Sequence, residues 1–183
     1  MPVTDPIRVM AYDAQWPTLF IEQSETMRAA LGEVALRIDH IGSTAVPGLA
    51  AKPIIDIQIS VAAFDPLEAF RTPLERSGYV FRADNQEQTK RYFRERPGSR
   101  RTHVHVRRAG SFSEQLTLLF RDFLRAHPEW AQRYAELKLS LAERHAGDRR
   151  RYTEEKRPFT WDVLAHADDW AQRTGWFAGT SDA

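Results

Sequence analysis

Residues His40 to Ile59 read HIGSTAVPGLAAKPIIDIQI. A glycine–serine step is followed by a loop of small residues, and then by an isoleucine-rich run carrying one carboxylate. In the run Ile54 to Val61, β-branched residues alternate with polar ones, which is the period of a strand. Ile55, Ile57, Ile59 and Val61 share one face, and Asp56, Gln58 and Ser60 share the other. The first set reads as a core face. The second reads as a half-exposed sheet face or as the wall of a cleft. Glycine at position 42 lets the backbone pass close to a neighbour, and the Ser43 hydroxyl with adjacent N–H groups suits phosphate oxygens. Taken singly the Gly-Ser step is a weak signal. Asp56 on the next strand and Lys52 between them give it weight.

Outward from this stretch, Val34 to Ile41 reads as the strand that enters the turn. Ile7 to Tyr12 reads as a further short strand. Asp13 is an N-cap candidate for a helix that places Phe20, Met27 and Leu31 on one face and ends at Gly32. Asp65-Pro66 opens a helix through about Arg76. Tyr79 to Arg82, Arg91 to Arg94 and Arg101 to Arg107 read as successive strands, the last two joined by a turn at Pro97-Gly98-Ser99 and so antiparallel. From Ser111 the period becomes helical. Leu116, Leu119, Phe120, Phe123 and Leu124 form one stripe, and Pro128 starts a second helix. A third helical region spans roughly Arg150 to Arg173 with a kink expected near Pro158. The last ten residues read as frayed. The sequence therefore predicts an α/β (α+β) fold, a β-sheet over residues 1–110 followed by a helical cap over residues 111–183, packed as one domain.

In the segment Thr102 to Val106, His103 and His105 fall on one strand face, roughly 6.6 Å apart along the chain. They could address one cleft, to bind a metal or to contact a phosphate or a base, although such a pair alone usually does neither. Lys138 and Lys156 lie on or beside apolar helical stripes, where an ammonium must meet an anion, form a salt bridge with Glu136 or Glu155, or snorkel outward. Arg91 and Arg94 are candidates for the cleft. Arg100-Arg101 and Arg149 to Arg151 read as solvated surface, and His40 as a structural hydrogen-bonding group that shapes the turn.

Composition sets the bounds. The chain has 183 residues, with 42% hydrophobic and 28% charged residues and a formal net charge of +1. That charge argues against a protein that coats nucleic acid. The absence of cysteine excludes disulfides, thiolate metal sites and cysteine nucleophiles. No secretory pattern opens the chain and no run reaches the ~20 apolar residues of a membrane span, so a cytoplasmic protein with no membrane partner is the expectation.

The stretch IDHIGSTAVPGLAAKPIIDIQISV closely resembles the GrpB-like family of the polymerase-beta-like nucleotidyltransferase superfamily. The similarity continues through YDAQWPTLFIEQ, THVHV, LLFRDFLRAHPEWAQRYAELKLSLA and YTEEKRPF. The resemblance implies a nucleotidyltransferase-like mixed sheet, with Gly42 and Ser43 at the nucleotide phosphates and Asp56 as the first carboxylate of the superfamily's Asp-x-Asp/Glu pair. Gln58 stands where the second carboxylate belongs, and His103 and His105 where a third would come from. The expected ligands are a nucleoside triphosphate and a divalent metal: Mg²⁺ or Mn²⁺, with Zn²⁺ as a further candidate because imidazoles replace carboxylates. Asp56, Gln58 and His105 form the expected catalytic set. Asp56, His103 and His105 form the expected metal set. Lys52, Arg91, Arg94, Lys138 and Lys156 join Gly42 and Ser43 as phosphate contacts. The same module occurs fused to some dephospho-CoA kinases, which raises the alternative of a non-catalytic module that binds a nucleotide or a protein partner. A metal-dependent hydrolase using both histidines is a third reading, and it needs one more protein ligand.

Overall fold

The computed structural model describes residues 6–183. Ten main elements follow one another: α1 (Trp16–Leu31), β1 (Arg37–Ile41), β2 (Ile55–Val61), α2 (Glu68–Arg76), β3 (Tyr79–Phe81), β4 (Arg91–Glu95), β5 (Thr102–Arg108), α3 (Phe112–Ala126), α4 (Pro128–Arg144) and α5 (Arg149–Thr174). The strands form one sheet in the order β1-β2-β5-β4-β3. The pair β2 and β5 is parallel, and the other pairs are antiparallel. The fold is thus a mixed sheet flanked by helices.

Strand alternation divides the sheet into two different faces. Ile38, Ile57, Ile59, Phe93, Val104 and Val106 pack against Phe20, Met27, Phe70 and Leu74 of α1 and α2, and all are buried. This is the main core, and it exists because every second residue of the central strands is apolar and branched. The other face carries Asp39, Asp56, Gln58, Ser60, His103 and His105. Polar groups there need partners once covered, and α3 provides them. Ser111 caps that helix by accepting from the Glu114 N–H at 3.3 Å. Glu114 is then held over the sheet, where its carboxylate accepts from the Ser60 hydroxyl. Arg121, further along the same helix, is buried against Asp39 and Asp182.

The segment Ile7 to Tyr12 is not a strand. Among the described residues its only ladder contact is the bridge between Met10 and Ala51, and Ile7 instead packs with Leu141 and Tyr152. The alternation there reflects burial of one side chain rather than sheet pairing. Asp13 does not itself cap α1. It accepts from the Gln15 N–H at 2.9 Å, just ahead of a helix whose first turn holds Pro17. The last helix runs unbroken past Pro158. The terminal residues, rather than fraying, are tied to β1: the Ile38 N–H donates to the Ser181 hydroxyl and the His40 N–H to the Asp182 carboxylate, at 2.8 and 2.9 Å. Among the described residues, no helix is long and apolar enough to cross a membrane.

Candidate functional site

Three strands and one turn build the site. Asp56 on β2 is paired in register with His103 on β5. The His103 Nδ1 lies 3.2 Å and the His105 Nε2 3.3 Å from the same carboxylate oxygen, Oδ1 of Asp56. One donor atom from each of the three residues falls within 4.8 Å of the others. The remaining ring nitrogens, His103 Nε2 and His105 Nδ1, are buried without a hydrogen-bond partner. The Tyr92 ring on β4 stands against both imidazoles, with centroids at 5.6 and 5.3 Å.

Above Asp56 lies the Gly-Ser turn. Gly42 has φ +70°, and a Cβ placed there would sit 2.8 Å from Asp56 Oδ2. Glycine is required at this position by conformation and by space alike. His40 anchors the turn from beneath. Its Nε2 lies 3.0 Å from the Thr44 hydroxyl, and its ring stacks on Phe20 at 4.8 Å. Thr44 in turn donates to the Ile54 carbonyl at 3.1 Å, locking the turn to the start of β2. Burial, reinforced by Arg125, pushes the His40 imidazole down to about 4, so it is neutral at physiological pH.

The electrostatics favour an ionised carboxylate at Asp56. Burial pushes Asp56 upward, but the hydrogen bonds from His103 and His105 outweigh it and hold the carboxyl far below its ordinary range. Burial lowers the His105 imidazole more than Asp56 raises it. A carboxylate oxygen and two imidazole nitrogens form a donor set that fits Mn²⁺ or Zn²⁺ better than Mg²⁺, which prefers an all-oxygen shell.

From this centre a cavity of about 570 Å³ opens between the sheet and the helical cap, lined by Gly42, Ser43, Lys52, Lys138, Tyr152 and Lys156 among others. Lys138 is 2% exposed and donates to the Ala50 carbonyl. Its Nζ lies 4.5 Å from the Tyr134 ring centroid. Lys156 stands over Tyr152 at 5.6 Å and Lys52 over the same ring at 5.1 Å. Among the described residues, none of these three lysines has a carboxylate within salt-bridge distance. Glu155, a partner the sequence offered Lys156, pairs instead with Arg144 and His145. Burial pushes the Lys138 ammonium down to about 6, helped by Lys156 and Lys52. Burial, then Lys156 and Arg149, pushes Lys52 down to about 8. A cationic hollow of this kind is built for an anion.

Three expected site residues lie elsewhere. Gln58 faces the same side as Asp56 but is fully buried, with its amide nitrogen 3.4 Å from the Glu114 carbonyl beneath the first turn of α3. It lines neither cavity that meets at Asp56. Arg91 is opposite Val106 in the ladder and stacks on Phe64 at 4.2 Å, on the core side of the sheet. Arg94 is on the cleft side, opposite His103, but its guanidinium is bound to Glu95 at 2.9 Å. Sequence reasoning does not single out Tyr92, Phe120, Tyr134 and Tyr152 as site residues, yet they form the cavity wall. Tyr92 is legible by parity, because residues 92 and 94 share a strand face while 91 and 94 cannot.

The description "GrpB protein" belongs to the family model that matches residues 6–166. UPF0157 protein YqkA of Bacillus subtilis is 34% identical over 164 residues, covering 90% of this chain and 48% of that protein. Dephospho-CoA kinase of Mycolicibacterium paratuberculosis is 35% identical over 197 residues, covering 93% of this chain and 48% of the kinase. The chain thus spans about half the length of these relatives. The crystal structure of conserved protein GrpB from Enterococcus faecalis superimposes with a TM-score of 0.78 at 32% identity, covering 87% of this chain and 98% of that one. Likeness of fold alone extends to the GLD-2/RNP-8 complex, at TM-score 0.53 and 9% identity over 95% of this chain and 64% of that one. It also reaches terminal uridylyl transferase 4 from Trypanosoma brucei with bound CTP, at TM-score 0.50 and 13% identity over 85% and 51%.

Proposed function

Since this chain belongs to the GrpB family and has a nucleotidyltransferase-like fold, we propose that it binds a nucleoside triphosphate with one divalent transition-metal ion and transfers a nucleoside monophosphate to an acceptor hydroxyl. One observation carries the reading. The Asp56, His103 and His105 donors, beneath a turn that only glycine can make, open onto a cavity with three lysines that lack carboxylate partners among the described residues.

The residues divide the work. Asp56, His103 and His105 would hold the ion, which supplies charge neutralisation at the α-phosphate. Gly42 brings the backbone close enough for phosphate contact, and Ser43 offers a hydroxyl there. Lys138 and Lys156 bind the β- and γ-phosphates as point charges. In the transfer the acceptor oxygen bonds to the α-phosphorus as the α–β bridging bond breaks, and the hydroxyl proton leaves to solvent. Pyrophosphate departs into the lysine-lined cavity, where its charge is already matched. With one carboxylate in place of three, two-ion chemistry is not supported by this residue set.

Calorimetric titration with Mn²⁺, followed by triphosphate, tests the proposal. Wild-type protein should bind triphosphate at least tenfold more tightly with Mn²⁺ present, and Asp56→Asn should lose that gain. Metal-independent triphosphate binding, unaffected by the Asp56 change, would refute it.

Binding without transfer is the second reading. It is favoured by the donor cluster itself, where Asp56 is the one carboxylate among the described residues and Gln58, at the position of a second, is an amide buried under α3. Analysis of nucleotide, acceptor and pyrophosphate after incubation separates the two readings.

A further inference from the structure

A second cavity, of about 440 Å³, adjoins the first, and Lys52 and Ile54 line both. Its wall includes Arg8, Lys52, Arg101 and Arg149 and, among the described residues, no acidic one. The two arginines read from sequence as ordinary surface, Arg101 and Arg149, are therefore part of a trough that continues the lysine-lined cavity away from Asp56. Arg101 is paired with Glu95 at 3.0 Å. Arg8 and Arg149 have no carboxylate partner among the described residues, and Arg149 lies close enough to Lys52 to depress its proton affinity. Like charges crowded beside a half-buried lysine raise the energy of the empty site, and an anion relieves it.

We infer that the ligand carries phosphate beyond the third: the site takes a condensed phosphate chain that runs from the Asp56 centre past Lys138 and Lys156, crosses Lys52, and ends in the trough of Arg8, Arg101 and Arg149. This rests on the triphosphate reading and extends it to a polyphosphorylated nucleotide. The chemistry of the trough favours a condensed chain over a nucleic-acid strand. Its remaining wall is Pro6, Ile7, Pro53 and Ile54, with no aromatic side chain on which successive bases could stack, the feature that single-strand grooves rely on. The ring of Tyr152, in the wall of the first cavity, has Lys52 over it, the lysine that both cavities share.

Linear inorganic polyphosphates of three and six phosphates, titrated calorimetrically into the whole protein, test the inference. The six-phosphate chain is expected to bind about tenfold more tightly than the three-phosphate chain. Arg8→Ala/Arg149→Ala, two exposed positions, should abolish that increment while leaving tripolyphosphate affinity within about twofold. Arg173→Ala, at the far end of α5, should leave the increment intact. Equal affinity for both chains, or an increment that survives the double substitution, would overturn the inference while the triphosphate reading stood. Failure of both chains to bind would remove the triphosphate reading and this inference together. A gain seen with a hexanucleotide of single-stranded DNA but not with hexaphosphate would assign the trough to nucleic acid and also overturn it.

Discussion

At Gly42 the chain passes over Asp56 with no room for a methyl group, in a conformation that L-residues rarely adopt. Gly42→Ala therefore meets strain and collision together. It is expected to cost about 1–3 kcal/mol of stability and to weaken Mn²⁺ binding at least tenfold by displacing the carboxylate. Denaturant titration and metal calorimetry check the two effects. Lys138 poses the opposite case, a residue that harms stability and serves a ligand. Its folded pKa of about 6 lies below the 10.5 of the unfolded chain, so between those values the unfolded state binds more protons and stability rises with pH. At pH 7 the fold holds Lys138 as a neutral amine, and giving up that proton costs on the order of a few kcal/mol. Lys138→Met is expected to flatten the slope between pH 7 and pH 10, raise stability at pH 7 and reduce triphosphate affinity. Urea unfolding across that range reads the first two. Asp56, His103 and the Gly-Ser step were legible in sequence because strand parity and a two-residue motif specify them locally. Gln58 was not, because what removes it from the cleft is Glu114, 56 residues further on.

Among the elements, α3 decides what the polar face of the sheet can do. It covers Gln58 and Ser60, leaves Asp56 open, and sends Arg121 down to Asp39 and Asp182. Arg121 also donates to the His40 carbonyl at 3.1 Å, immediately before the Gly-Ser turn. Arg121→Met leaves the buried Asp39 carboxylate and the more exposed Asp182 carboxylate short of a partner and should cost about 3–5 kcal/mol, measured by chemical denaturation. A loss under about 1 kcal/mol would mean that Arg37, bonded to Asp39 at 2.9 Å, suffices. Sequence periodicity located α3, α4 and α5 well, because their apolar stripes repeat at helical spacing. It failed at Ile7 to Tyr12 and at the C-terminal residues. There the structure is set by scattered long-range contacts, such as Met10 with Ala51 and Ser181 with Ile38, which leave no periodic trace.

Taken whole, the molecule uses one sheet for two purposes: an apolar face that stabilises it, and a polar face roofed by cationic helices. The two are linked through protons. An anion in the cavity restores the charged form of Lys138 and Lys52, so triphosphate binding should take up protons between pH 7 and 8. Calorimetry in buffers of differing ionisation enthalpy should report an uptake of about one proton, most of it lost in Lys138→Met. The mixed sheet and the order of its elements were readable from sequence, and so were the lysines. Their convergence was not, since the roof brings residues 52, 138 and 156 together only through the packing of α4 and α5 on the turn. The most direct measurement is anomalous diffraction from crystals soaked with Mn²⁺ and a non-hydrolysable nucleoside triphosphate. A manganese peak is expected between Asp56, His103 and His105, with phosphate density reaching Lys138 and Lys156. Manganese elsewhere, or a nucleotide whose phosphates lie away from those lysines, would contradict the common site.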